Sequence, residues 1–406
     1  MIKKVRSARL KPGMFIHDFN CDWLEVPFMR RSLAIKDELM IDKIIKQGIR
    51  EVYIDTDKGL DVADAPTREQ VALAVETAVG QLMTGGGIEQ DPDALRREEM
   101  ARAKCVRKEA EKVIGAVMHD VLEGKKLNIA QVDAVVERMI DSVFDNQSAM
   151  MCLSRLKTRD EYTFEHSVNV CIFMIAFCRS LGFDRAATTE IGVGALLHDV
   201  GKMKVPQGIL NKPTRLTEEE FVLMQSHVTH SFQVLKEERG IPATAITVAF
   251  EHHERHDGTG YPLGLKGNNI TRIGQMAAIV DVYDAITSDR CYHKGIDPAE
   301  ALRKLYEWSE FHFCRELVQY FIKCVGVYPL GTMVRLESGF LAVVVRPANG
   351  SMIKPMVRLV YDTKSNSKMA PRDLLLSDAG VTDRIVGYET PAKWDINPLQ
   401  YLDAAL

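Results

Sequence analysis

From about Ser148 to Val325 the chain repeats one pattern, helix-length apolar stretches with almost no strand alternation. Apolar residues recurring every three or four positions line one face of a helix, and such faces are buried by packing helix on helix. Candidate helices are Glu165–Leu181, Arg185–His198, Glu218–Glu237, Ala243–His252, Arg272–Thr287 and Pro298–Trp308. The expected fold is therefore mainly α around an all-helical central domain.

At 406 residues the chain is long enough for flanking modules. Residues 1–60 mix short strands (Val5–Leu10, Met14–Ile16, Val52–Ile54) with an amphipathic helix over Asp37–Gln47 that Gly48 stops, a small α+β module. Residues 61–147 read as linker and connecting helices, with Gly85-Gly86-Gly87 a candidate flexible joint. The charged run from Arg96 through Arg107 and Lys108 reads as a solvated helix face, because acids interleave with the bases. Residues 148–325 form the central domain. Residues 326–406 form a small β appendage and tail, with strands expected over Met333–Leu336, Phe340–Val345 and Met356–Tyr361.

Lys and Arg number 52 against 56 Asp and Glu, a net charge of −4, so a nucleic-acid polymer is not an expected partner. The longest strongly apolar stretch, Val170–Cys178, is far short of the roughly 20 residues of a membrane span. Met1–Val5 lacks the apolar core of a signal peptide, and eight scattered Cys without a Cys-x-x-Cys fit reduced thiols. A cytoplasmic protein without a membrane partner is expected.

Histidine usage carries the chemistry. Eight of the eleven His fall between His166 and His293, whereas His17, His119 and His312 read as ordinary core or surface residues. His198-Asp199 closes an apolar helix and is followed by Gly201 and Lys202. His166, His227 with His230, and His252-His253-Glu254 occupy other helix positions. Asp281 is embedded in the apolar run Ile279–Tyr283, where an unpaired carboxylate is costly without a cation, a metal or a hydrogen-bond network. Imidazoles and carboxylates without thiolates suit Fe, Mn, Ni or Zn in a two-metal hydrolytic site.

These residues, with Gly260-Tyr261-Pro262 inside the string His253–Pro262, resemble the HD-GYP family, a branch of the HD phosphohydrolase superfamily. The N-terminal module is similar to the uncharacterised domain that often precedes HD-GYP. The resemblance implies a metal-dependent phosphodiesterase that hydrolyses the bacterial second messenger cyclic di-GMP to pGpG, in some members onward to GMP. It implies His166, His198, Asp199, His227, His252, His253 and Asp281 as metal ligands, with Asp199 bridging and also catalytic. Lys202 would be catalytic on the scissile phosphate, and Lys202, Tyr261, Asp284 and Arg290 would bind substrate. Three-metal members have Glu where this chain has Tyr162, with Asp160 and Glu161 nearby. Two divalent ions are thus expected, Fe or Mn ahead of Ni or Zn, and no third ion. Cys291 stands where the family usually has Pro, beside Arg290. A diguanylate cyclase domain docking on the Gly260-Tyr261-Pro262 loop is a candidate partner, and oligomerisation stays open. The competing readings are a cyclic di-GMP receptor or scaffold without turnover, and an HD hydrolase of another nucleotide.

Overall fold

The structure, a computed structural model, describes residues 1–21, 32–82, 97–154, 162–212, 214–288, 295–346 and 353–403. The expected joint at Gly85–Gly87 lies outside them.

The N-terminal module contains β1 (Ile2–Arg6), β2 (Phe15–Asp18), β3 (Leu33–Ala34), α1 (Glu38–Lys46) and β4 (Glu51–Asp55). Its antiparallel sheet has the order β1-β4-β2-β3. Asp37 caps α1 by accepting a bond from the Met40 amide, and Gly48, at φ +77°, turns the chain into β4. Ile41 and Ile44 of α1 pack on Val5, Ile16, Val52 and Ile54 in a small core of their own.

Helix α2 (Arg68–Gln81) begins with a Thr67/Gln70 capping box. Two long helices follow, α3 (Arg97–Glu123) and α4 (Ile129–Leu153). The run read as a solvated face is only half so. One side of α3 carries Met100, Ala103, Ala110, Ile114 and Met118 into the main core, and Arg107 goes in with them. The expected boundary between 147 and 148 falls within α4, which bends at Asn146 and shares its buried face with the central helices.

Those helices are α5 (Tyr162–Ser180), α6 (Arg185–Leu197), α7 (Gln207–Leu210), α8 (Glu218–Glu237), α9 (Ala243–Glu251), α10 (Arg272–Thr287), α11 (Pro298–Trp308) and α12 (Arg315–Val325). Side-chain caps open most of the long ones: Asp184 before α6, a Thr217/Glu220 box before α8, Thr271 before α10 and Asp297 before α11.

A second antiparallel sheet follows, made of β5 (Met333–Leu336), β6 (Phe340–Arg346), β7 (Met356–Asp362), β8 (Ser367–Leu375) and β9 (Ile385–Tyr388), in the order β8-β7-β6-β5-β9. A short α13 (Leu399–Asp403) packs on it. Val334, Leu341, Val343 and Val360 join the helical core, so this sheet extends that core rather than folding beside it. The fold is mainly α, with a small sheet at each end. No helix among the described residues is long and apolar enough to cross a membrane.

Candidate metal centre

Five of the seven expected ligands stand at or near helix ends or in the turns that follow them. His198 caps α6, Asp199 begins the 3-10 turn Val200–Lys204, His252 caps α9, and His253 comes next. His166 lies in the second turn of α5 and Asp281 on α10. His227 sits mid-helix in α8. The end of α6 is pulled against α8 by Gly201. A Cβ there would lie 2.1 Å from the His227 carbonyl oxygen and 2.3 Å from the Ser231 nitrogen. Ser231 Oγ accepts from Gly201 N at 2.9 Å and donates to the His198 carbonyl at 2.8 Å, tying the two ligand-bearing elements together.

Three imidazoles share one device. The Nδ1 of His198, His227 and His252 each meets the carbonyl oxygen three residues earlier, Ala195, Met224 and Ala249, at 2.7, 2.7 and 2.9 Å. A carbonyl only accepts, so Nδ1 carries the proton and the Nε2 lone pair is aimed inward. Those three Nε2 atoms and Asp199 Oδ1 are buried without a hydrogen-bond partner. Such orphans are costly unless something not made of protein meets them.

They converge on Asp199 from two sides. Its Oδ2 faces His198 Nε2 at 3.3 Å and His166 Nε2 at 3.6 Å, while its Oδ1 faces His227 Nε2 at 3.4 Å and His252 Nε2 at 4.0 Å. Two donors on one ion at about 2.0–2.2 Å from it lie roughly 3–3.5 Å apart, close to these spacings. The donors form two groups, His166/His198/Asp199 and His227/His252/His253. Asp281 lines the same space, 2.9 Å from His166 Nε2 and 4.0 Å from His253 Nδ1. The donor set therefore fits two divalent ions sharing one carboxylate. His230, half-buried, belongs to neither group.

Electrostatics leave Asp199, Asp281, His227, His252 and His253 in metal-ready states. Burial alone would raise Asp199, yet the Lys202 ammonium and neighbouring imidazoles hold its carboxyl well below the usual range. Burial likewise opposes the charge on Asp281, and the hydrogen bond with His166 overrides it. Burial pushes His227 down to about 4 and His253 down to about 3, and holds His252 well below its ordinary value, so these rings are neutral at pH 7. His166 differs. Burial disfavours its proton, but hydrogen bonds with Asp281 and Asp284 outweigh that and raise it.

Of the expected substrate contacts, Lys202 pairs directly with Asp199 Oδ2 at the edge of the cluster. Tyr261 stacks its ring on His253, centroids 4.7 Å apart and 24° from parallel. His253 is the most exposed of the seven ligands, which puts this stack at the mouth. Asp284 is not at the mouth. It is 1% exposed behind His166, with Oδ2 at 2.8 Å from Nδ1 and Oδ1 accepting from Asn169 Nδ2 at 3.0 Å. A carboxylate three residues after Asp281 shares its helix face, and sequence alone does not separate a ligand-facing from a ligand-backing role. Arg290, Cys291, Asp160 and Glu161 lie outside the described residues, and Tyr162 opens α5.

Several positioning residues carry no motif signal. Asn169, one turn after His166, is held by Arg107 Nη1 at 2.8 Å, and Arg107 also donates to the Leu153 carbonyl. Glu254 accepts from the Leu263 and Leu265 amides, both at 2.8 Å, and closes the loop that carries Tyr261. Gly260 is required where it stands, since a Cβ would lie 2.3 Å from the Arg255 nitrogen and 2.5 Å from the His253 oxygen. Polar residues at buried positions of an apolar helix, such as Ser167 and Asn169, are the signal by which these could be found.

The HD domain family model matches residues 139–317, and a domain of unknown function (DUF3391) matches residues 2–132. A protein of Pseudomonas aeruginosa named as a cyclic di-GMP phosphodiesterase is 37% identical over 98% of this chain and 95% of its own length. A cyclic di-GMP phosphodiesterase of Thermotoga maritima is 31% identical over 55% of this chain and 62% of its own. A Vibrio cholerae protein named as a 3'3'-cGAMP-specific phosphodiesterase is 32% identical over 40% of this chain and 32% of its own.

Proposed function

We propose, from the HD-domain cyclic di-GMP phosphodiesterases to which this chain belongs, that the Asp199 cluster is its catalytic centre. The chain is a metal-dependent phosphodiesterase acting on cyclic di-GMP. The observation that carries the assignment is the single carboxylate between two sets of imidazoles, of which His198, His227 and His252 aim inward Nε2 atoms that have no hydrogen-bond partner. His166, His198 and Asp199, with Asp281, would hold one ion, and His227, His252 and His253, with Asp199, would hold the other; iron or manganese suits these donors. Divalent ions so held supply Lewis acidity toward the phosphate and an activated water as nucleophile.

The remaining tasks fall to side chains. Asp199 orients the attacking water between the two sets and takes up its proton. Lys202 leaves its ion pair with Asp199 for a non-bridging phosphate oxygen, where its charge stabilises the transition state. Tyr261, stacked on His253, offers a ring face to a guanine at the mouth. Asp284 acts from behind, fixing the tautomer and orientation of His166. Arg290 contributes a substrate contact. With two ions, cleavage stops mainly at pGpG. The loop at Tyr261 also offers a docking face to a cyclase domain.

Anaerobically prepared protein, incubated separately with cyclic di-GMP and 3'3'-cGAMP and followed by product chromatography, tests this. Conversion of cyclic di-GMP to pGpG is the expected result. Binding without turnover makes the chain a receptor instead, and preference for 3'3'-cGAMP reassigns the substrate.

A further inference from the structure

The N-terminal module is anchored on α11 at Glu307, with Trp308 Nε1 donating to Asn20 Oδ1 at 3.4 Å beside it. Glu307 accepts from Tyr53 Oη at 2.9 Å and Asn20 Nδ2 at 3.0 Å, and pairs with Lys4 Nζ at 3.0 Å. Anchored there, the turn between α1 and β4 reaches the loop that follows His252-His253. Arg50 Nε donates to Asp257 Oδ2 at 2.8 Å. The other oxygen of Asp257 accepts from Thr259 N at 3.0 Å and Thr259 Oγ1 at 2.6 Å. Gly48 presses on the same threonine, since a Cβ on Gly48 would lie 2.6 Å from Thr259 Cβ. Tyr261, two residues on, bonds its amide to the His253 carbonyl at 3.1 Å and lays its ring on the His253 imidazole.

We infer that Arg50, from the N-terminal module, is a positioning residue for the catalytic loop: through Asp257 and Thr259 it sets where Tyr261 stands over the mouth of the metal centre. The module thereby has a mechanical hold on substrate binding, because any rearrangement of its α1–β4 turn moves Asp257. Asp257 is largely buried, so it exchanges a fixed guanidinium for mobile water when Arg50 is removed. No metal ligand touches Arg50, and the effect is therefore on affinity rather than on metal loading. The inference rests on the proposed role of Tyr261 at the substrate mouth.

The test compares wild type, Arg50→Ala and Arg50→Lys by amide hydrogen exchange, metal content and steady-state kinetics on cyclic di-GMP. Loss of one charge-assisted bond corresponds to about tenfold faster exchange in residues 257–261 and about a tenfold higher KM in Arg50→Ala. Metal content and kcat should stay within about twofold, and Arg50→Lys should recover part of the protection. In an Asp257→Ala background, Arg50→Ala should change neither exchange nor KM further. Two results overturn the inference: exchange and KM both within about twofold of wild type, or faster exchange spread evenly through the module and α11, which marks undocking. Exchange is read without turnover. Faster exchange confined to 257–261 with an unaltered KM would leave the hold on the loop standing and remove Tyr261 from substrate binding.

Discussion

Asp284→Asn changes one oxygen to nitrogen outside the ligand set, yet it should disable the metal ligand His166 from behind. In the wild type, Asp284 Oδ2 accepts the His166 Nδ1 proton at 2.8 Å, while Oδ1 is committed to Asn169 Nδ2 at 3.0 Å. An asparagine keeps its carbonyl oxygen on Asn169 and turns its amide toward Nδ1. An amide N–H cannot accept, so Nδ1 gives up its proton and the ring takes the other tautomer. The proton then sits on Nε2, the atom that faces Asp199 and Asp281. Metal binding must displace it with no carboxylate left to hold a proton on Nδ1, whereas the wild-type ring frees Nε2 and keeps its Nδ1–H bond to Asp284. A buried hydrogen bond to a charged group contributes about 1.5–3 kcal/mol, which is roughly 10- to 150-fold in metal affinity. That range matches the loss typical of removing an outer carboxylate from a metal-bound histidine. Titration of metal-free protein with Mn²⁺ against a competing chelator measures it, with a thermal melt to show the fold intact. Affinity within about threefold of wild type in a folded Asp284→Asn protein would refute the tautomer argument.

Other outcomes follow from the same geometry. Lys202→Ala should retain both ions and lower kcat by about 10²-fold or more, as loss of a charge-stabilising donor does; loss of metal instead would make the lysine structural. Tyr162→Glu restores a carboxylate one helical turn before His166 and should raise metal stoichiometry by one, with more GMP formed; an unchanged count by metal analysis argues against that position as a ligand site. In metal-free protein, stability should rise with pH between about 4 and 6.5. Below about 6.5 the unfolded chain protonates histidines that the folded protein keeps neutral, His227 down to about 4 and the buried His253 and His312 down to about 3. His166 has the opposite sign, its contribution complete below about 6.5 and fading as pH climbs through its raised value. Denaturant midpoints in chelator check the net slope, and a flat or falling profile across that window contradicts it.

The parts of the fold visible in the sequence are those with strong local signals. Helices α8, α10 and α11 open at Thr217, Thr271 and Asp297, whose side chains make the capping bonds that the residue types suggest. Helix α12 escaped because Cys314 makes no side-chain cap. Strand β8 escaped because it is an edge strand, mostly exposed, with Lys368, Pro371, Arg372 and Asp373 replacing the apolar alternation of a buried strand. The ligands were legible for a chemical reason, since imidazoles and an acid inside apolar helices are costly without a purpose. Their supports were not. Arg107 is hidden in a run of charges, Asn169 and Ser231 are unremarkable types, and the hold of Arg50 on Asp257 joins residues 207 apart in sequence.

The metal content of Asp199→Asn beside wild type tests the shared-carboxylate centre most directly. Both proteins are prepared anaerobically, equilibrated with Mn²⁺ and freed of loosely held ion before analysis. A carboxylate common to two ions gives two per chain in the wild type and fewer than one in the variant, with the fold intact. One ion per wild-type chain, or two retained after Asp199→Asn, would contradict a centre built across Asp199.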